Sequence, residues 1–324
     1  MTFSLADHWV WDFWIADDGD RFHLFYLHAP MSLGDPQLRH RNAVIGHASS
    51  VDLTDWTDHG RVIGPGQAGL ADETASWTGS VVRHDPDWWM FYTGSRFLDA
   101  ERATNVESIV AATSPDLAAW QTLPGAILEA DPEWYEVLSD GTWHEQAWRD
   151  PWVVRDPSGS GWHMLITARA NAGGATARDR GVIGHAFSGD LVEWTVLPPL
   201  SDAGSGFAHL EVVQWVRIEG RPALVFSCDT PHLAGDRARS DGGGIWTVTA
   251  PELGEHIDLS AAVRLTDDRL YAGRAVQARD GQWMLLGFEN AGERGAFVGR
   301  LSDPAPLRWG AGGQLQVERI GAIR

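Results

Sequence analysis

The chain has 324 residues, 44% of them hydrophobic, which makes it globular and long enough to bury a large core. Its formal net charge of −19 argues against nucleic acid and anionic membranes as partners, because both need basic patches, and no apolar run approaches the ~20 residues of a membrane span. The one cysteine, Cys228, excludes an intrachain disulfide and reads as inert core; Met1 to His8 lack the basic and apolar regions of a secretory signal, so the expected compartment is the cytoplasm.

In chain order, five strand pairs recur, each an apolar stretch, a short turn and a second alternating stretch. The first runs from Trp11 to Ala16, turns at Gly19 and Asp20, and returns from Arg21 to His28. The second has Trp77 to Val82, a turn at Asp85 to Asp87, then Trp88 to Gly94. The third has Trp148 to Val154, a turn at Ser158 to Gly161, then Trp162 to Arg169. The fourth has His209 to Trp215, a turn at Glu219 and Gly220, then Pro222 to Asp229. The fifth has Tyr271 to Val276, a turn at Asp280 and Gly281, then Trp283 to Phe288.

A further segment follows each pair. Ile45 to Trp56 matches Val182 to Trp194, Ala111 to Trp120 is another copy, and Val298 to Trp309 is a weaker one. The copy near Ile245 to Leu253 has lost its tryptophan. Trp56 and Trp309 stand four intervals apart, about 63 residues each, and five such units nearly exhaust the chain. The pattern predicts an all-β fold, a five-bladed β-propeller filling residues 1–324 as a single domain without a C-terminal β-sandwich. A β-sandwich or β-helix is the runner-up, with less even or much shorter repeats.

The first strand of a propeller blade lines the central channel. Counting eight residues back from the turn reaches Asp12, Gly79, Asp150 and Glu211 in the first four blades, and Arg274 falls close to that level in the fifth. The three carboxylates are therefore expected at one mouth of the channel. Each alone also reads structurally: Asp12 as a turn residue, Asp150 as the partner of Arg149, Glu211 as a salt-bridged strand residue. A shared register favours function. Like charges at close range raise one pKa, and glycoside cleavage needs one protonated and one ionised carboxyl. Trp11, Trp14 and Trp77 supply stacking area, and His209 and His28 fall near the mouth, within reach of a substrate.

At these residues the chain resembles the furanosidase propellers of glycoside hydrolase families 32 and 68 (clan J), over nearly its whole length. Val10-Trp-Asp-Phe-Trp14 is similar to the family 68 nucleophile motif, Trp77-Thr-Gly-Ser80 to a Trp-Ser-Gly-Ser segment of both families, and Arg149-Asp-Pro151 to their Arg-Asp-Pro motif. Gly46 to Trp56 resembles the blade-one segment of family 32, and Tyr271 to Arg274 with Trp283 to Phe288 their fifth blade. The resemblance implies a retaining enzyme of β-fructofuranosides such as sucrose or short fructooligosaccharides, hydrolysing or transferring fructosyl groups. In it Asp12 is the nucleophile, Asp150 stabilises the transition state, and Glu211 is the acid/base. Trp77, Ser80 and Arg149 contact the sugar. The Asn-Asp-Pro-Asn motif of family 32 is absent, and Leu210 to Val213 replaces its Glu-Cys-Pro. An inverting arabinofuranosidase like those of family 43, and a non-catalytic sugar-binding propeller, are the alternatives.

Other signals point to structure. His47 and His185 occupy matching repeat positions and read as structural, and nothing has the spacing of a metal site. Residues 237–244 and 172–176 are glycine-bearing loops without the strand–helix setting of a phosphate loop. No metal and no cofactor is expected, and the partner is a small saccharide. The long loops 29–42, 122–147 and 230–244 are expected to carry specificity.

Overall fold

The computed structural model describes residues 3–99, 103–171, 176–292 and 295–318. Five antiparallel sheets follow one another along the chain. The first is β1 (His8–Asp17), β2 (Phe22–Pro30), β3 (Val44–Ser50) and β4 (Thr57–Ile63). The second is β5 (Ala75–His84), β6 (Asp87–Phe97), β7 (Asn105–Ser114) and β8 (Gln121–Thr122). The third is β9 (Trp148–Arg155), β10 (Trp162–Arg169), β11 (Gly181–Ser188) and β12 (Trp194–Leu197). The fourth is β13 (Glu211–Ile218), β14 (Arg221–Cys228), β15 (Gly244–Thr249) and β16 (Val263–Arg264). The fifth has β17 (Leu270–Gln277) and β18 (Trp283–Ala291), which pairs both β19 (Phe297–Leu301) and β20 (Ala305–Trp309); β21 (Leu315–Val317) lies outside β20.

The first strands β1, β5, β9, β13 and β17 touch in that order around a ring and back to β1, so the five-bladed propeller read from the repeat is the fold. First and last blades are joined by Leu301 N–H donating to Phe3 O at 3.0 Å and by Arg279 holding Asp17 at 2.6 and 2.8 Å. Apolar side chains fill the spaces between blades, as in the cluster of Trp9, Trp14, Phe25, Met90 and Tyr92.

The repeated tryptophan segment builds a turn. In blade one, Ser50 Oγ accepts the N–H groups of Asp52 and Leu53 at 3.1 Å, and Asp52 Oδ1 accepts those of Thr54 and Asp55 at 2.9 Å. Trp56 Nε1 then donates to Leu53 O at 3.1 Å. The same bonds recur at Asp116 and Trp120, and at Asp190 and Trp194. Leu53, Leu117 and Leu191 are left-handed at φ 67, 65 and 69°, a conformation costly for a branched side chain and held here by the turn bonds on both sides.

One expectation needs correction. The five inner hairpins turn through residues 18–21, 85–86, 156–161, 219–220 and 278–282, so their loops differ in length, and a fixed count back from the turn does not hold. The true marker is a shift in pairing, a β-bulge, that every inner strand carries at one level. It falls at Asp12, Thr78, Asp150, Val212 and Ala272. Gly79 and Arg274 lie past it, and Glu211 precedes it, in the position that Arg149 holds on β9. Asp150, Val212 and Ala272 take φ of 58, 55 and 51° there.

Loop 29–42 contains 3₁₀ turns at Met31–Leu33 and Pro36–Asn42, loop 122–147 one at Leu138–Asp140, and loop 230–244 one at Thr230–His232 and a helical turn at Arg237–Ser240. Of the loop read at 172–176, residues 172–175 lie outside the described residues. Cys228 is buried and free.

Candidate active site

The residues just before the bulge, Trp11, Trp77, Arg149, Glu211 and Tyr271, all line one cleft of about 640 Å³ at the channel mouth. Asp12, Thr78 and Asp150, at the bulge itself, line it too. A bulge interrupts the strict alternation of faces along a strand, so the residue at the bulge and the one before it both reach the channel. This is how consecutive pairs such as Trp11–Asp12 and Arg149–Asp150 share the site.

Arg149 organises the floor. Its Nη2 donates to Glu211 Oε1 at 2.7 Å, and its Nη1 to Glu107 at 3.1 and 3.2 Å and to Glu145 Oε1 at 3.2 Å. Asp150 Oδ2 is 3.9 Å from its Nε. Glu107 is fully buried and also accepts from Trp148 N–H at 3.0 Å. Tyr271 Oη donates to the other oxygen of Glu211. Burial alone raises the pKa of Glu211; the Arg149 charge and the Tyr271 and Arg149 hydrogen bonds outweigh it and hold the carboxyl below its ordinary range.

Asp12 has the opposite balance. It accepts from Thr78 Oγ1 at 2.8 Å, but burial and the charges of Asp150 and Glu211 push it up to about 7. Asp150 Oδ2 accepts from Thr167 Oγ1 at 2.9 Å and Val212 N–H at 3.0 Å. Burial raises it, Arg149 pulls it down and Glu211 pushes it up, with a net rise. A proton held between Asp12 and Glu211 near neutral pH therefore rests on Asp12.

The predicted residues divide into two groups. Trp11, Asp12, Trp77, Arg149, Asp150, His209 and Glu211 meet in the cleft. Trp14, Ser80, Arg274 and His28 do not line it. Trp14 has no exposed surface and stacks on Phe25 at 6.0 Å between blades. Ser80 Oγ accepts Val153 N–H at 3.0 Å, tying blade two to blade three. Arg274 lies deeper in the channel, its guanidinium over Trp152, donating to the carbonyls of Phe13, Val212 and Val213. His28 packs on His8 and Tyr26. All three inner-strand residues come after the bulge, where side chains meet neighbouring blades.

Several cleft residues lie outside the sequence-derived set. Thr78 and Tyr271 become visible once the bulge is the marker. Glu107 is the one titratable residue of β7, which is a signal in itself. Loop 29–42 supplies Arg39, whose guanidinium lies 4.1 Å from the Phe297 ring centroid, and loop 122–147 supplies His144 and Glu145. Asp229 and His232, paired at 2.6 Å, close the blade-four side. His209 is buried, 3.5 Å from Glu145, and held well below its ordinary pKa by burial and by Arg149. Among the described residues no group of three or more His, Cys, Asp or Glu is arranged to hold a metal ion. No helix among them is long and apolar enough to cross a membrane.

The family model of the glycosyl hydrolases family 32 N-terminal domain matches residues 14–296. The chain belongs to glycosyl hydrolase family 32. A sucrose-6-phosphate hydrolase of Escherichia coli is 28% identical over 282 residues, which cover 83% of this chain and 52% of that protein. A probable sucrose-6-phosphate hydrolase of Vibrio cholerae is 24% identical over 274 residues, 82% of this chain and 44% of that protein. This family 32 chain thus spans about half the length of the curated relatives it matches. Among solved structures, inulosucrase from Halalkalicoccus jeotgali bound to kestose shares the fold at TM-score 0.77 and 22% identity, covering 97% of this chain and 87% of that one. The Bombyx mori family 32 β-fructofuranosidase does so at TM-score 0.75 and 20% identity, covering 99% and 65%.

Proposed function

We propose that the chain is a retaining glycosidase of β-fructofuranosides, with Asp12 as nucleophile, Glu211 as acid/base and Asp150 as the stabiliser of the developing charge. The observation that carries this reading is the convergence of Asp12, Asp150 and Glu211 on one cleft in which Arg149 and Tyr271 grip both oxygens of Glu211. Family membership and the names of the relatives support the substrate class.

In the first step Asp12 attacks the anomeric carbon of the fructosyl unit while Glu211 gives its proton to the leaving oxygen. In the second, Glu211 takes a proton from water, which attacks the same carbon and frees Asp12. A sugar hydroxyl of an acceptor in place of water gives transfer. The step needs Asp12 ionised and Glu211 protonated, whereas at rest the shared proton sits on Asp12. Both arrangements carry the same proton count, so the reactive one is a minor tautomer of the main form. A sugar that displaces Arg149 or Tyr271 from Glu211 moves the proton to where the leaving group needs it. Trp11 and Trp77 give flat apolar walls for the sugar and limit water at Asp12.

The reading includes small saccharides as substrates and a cytoplasmic setting. The test is incubation with sucrose, sucrose 6-phosphate, kestose and an aryl arabinofuranoside, following the first-released sugar by NMR before it mutarotates. Fructose released with retained configuration is expected. Inversion, or cleavage of the arabinofuranoside alone, overturns the assignment.

A further inference from the structure

Blades one and three carry the same buried relay. In blade one, Asp18 Oδ2 lies 3.0 Å from His23 Nε2, and His23 Nδ1 lies 3.0 Å from His47 Nε2. In blade three, Asp156 Oδ2 lies 2.9 Å from His163 Nε2, and His163 Nδ1 lies 2.8 Å from His185 Nε2. The imidazoles stack at 5.2 and 5.1 Å, and all four are buried. The repetition agrees with a structural part for His47 and His185.

The two copies differ in what covers them. Opposite His163 on β11 stands Phe187, its ring 5.1 Å from the imidazole, and the Gly254 backbone closes in from another side. Opposite His23 on β3 stands Ser49. The blade-one relay therefore opens into a groove of about 710 Å³, bounded also by Arg21, His59, Arg61 and Trp120. This groove meets β2 at His23, whereas the cleft meets the same strand near its other end, at Leu27.

The groove has a defined chemistry. Arg21 Nε donates to Ser49 Oγ at 3.2 Å, and Ser49 Oγ is 2.8 Å from His59 Nε2. Among the described residues, neither Arg21 nor Arg61 has a carboxylate at ion-pair distance. The one carboxylate on the wall, Asp116, is occupied by the N–H groups of its own turn. In a chain of net charge −19 the wall thus carries two arginines against one carboxylate, although Asp58 and Asp116 are both close enough to act on His47. At its floor His47 Nδ1 is buried with no partner. With both imidazoles neutral the relay sets what that atom offers: Asp18 takes the Nε2 proton of His23, so His23 Nδ1 accepts from His47 Nε2–H, and His47 Nδ1 presents a lone pair. The groove thus asks for negative charge at its rim and a proton donor at its floor.

We propose that this groove is a second binding site, for a phosphate group. A monohydrogen phosphate offers anionic oxygens to Arg21 and Arg61 and a P–OH to His47 Nδ1. Sulfate, which carries no proton at neutral pH, meets the arginines but not the lone pair. Free phosphate and a sugar phosphate ester share this chemistry.

Titration calorimetry on the full chain at fixed ionic strength, with chloride as the balancing anion, tests the site. Saturable binding of inorganic phosphate is expected. It weakens at least about tenfold in Arg61→Ala, which alters an exposed residue, and in Ser49→Phe, which installs the cover that blade three has. Sulfate binds at least about tenfold more weakly than phosphate. Glucose 6-phosphate binding tighter than phosphate assigns the site to the ester, and the reverse order assigns it to the free anion; either upholds it. No saturable binding, binding unchanged in both variants, or sulfate as tight as phosphate overturns the proposal.

Discussion

Arg149 Nη2 donates to Glu211 Oε1 at 2.7 Å, so the side chain proposed as the acid is held, at rest, as a carboxylate. Tyr271 completes the grip on its other oxygen. Removing the tyrosine hydroxyl removes a donor that favours the ionised form, so the pKa of Glu211 rises. In Tyr271→Phe the acidic limb of kcat/KM against pH is expected to move to higher pH, with the alkaline limb unmoved. An acidic limb that stays in place, or moves down, separates Tyr271 from the acid/base.

The proton shared by Asp12 and Glu211 sets a ceiling on the working pH. Burial and the two neighbouring charges bring Asp12 up to about 7, while Glu211 is held below its ordinary range, so above about 7 the pair loses its proton and Glu211 has none to give. The rate is therefore expected to be highest on the acidic side and to decline as pH rises through about 7. Because kcat/KM reports the free enzyme, that is the quantity to follow. A flat profile from pH 6 to about 9 contradicts a shared proton.

The five blades were legible because each hairpin and each tryptophan turn is local: Ser50, Asp52 and Trp56 make their bonds within seven residues of one another. Asp12, Asp150 and Glu211 were legible as carboxylates at matching places in the first strands of three hairpins. Their relative heights were not, because the bulge is an accident of pairing between strands and leaves no fixed distance to the turn. Arg274 was drawn toward the site by the same count, Trp14 as an aromatic beside Asp12 and Ser80 by the resemblance, and each serves contacts between blades. Arg39, Glu145 and His232 were hidden because they arrive on long loops whose path depends on the ring being closed.

Glu107 touches the site only through Arg149. It holds Nη1 on the side away from Glu211 through both of its carboxyl oxygens, although burial, against the pull of Arg149, pushes its pKa up to about 8. Glu107→Gln keeps the shape but turns one of those two acceptors into an amide N–H₂, so the guanidinium is free to turn toward Glu145. The expected result is a fall in kcat of about 10²-fold, the scale of a small misplacement of a working group, with KM changed little. The acidic limb of the pH profile shifts as well, since Arg149 is what keeps Glu211 ionised. Loss of activity through KM alone, with the pH profile intact, rules out a positioning role.

Asp12→Asn separates chemistry from stability. Removing the nucleophile is expected to cost at least about 10⁴-fold in kcat, since no other group lies at that bulge to replace it. The effect on folding has the opposite sign. A carboxyl whose folded pKa is raised binds its proton more tightly in the native state than in the unfolded one. Its contribution is therefore present at low pH and lost as pH climbs from the ordinary value of 3.8 through about 7. Above that, the native protein must hold a buried charge beside Asp150 and Glu211. Asparagine carries no charge at any pH and still offers an oxygen to Thr78 Oγ1. The variant is thus expected to melt close to wild type near pH 4 and clearly above it at pH 8, when both are followed by circular dichroism. A variant that melts at or below wild type at pH 8 shows that Asp12 is not strained in the native cleft.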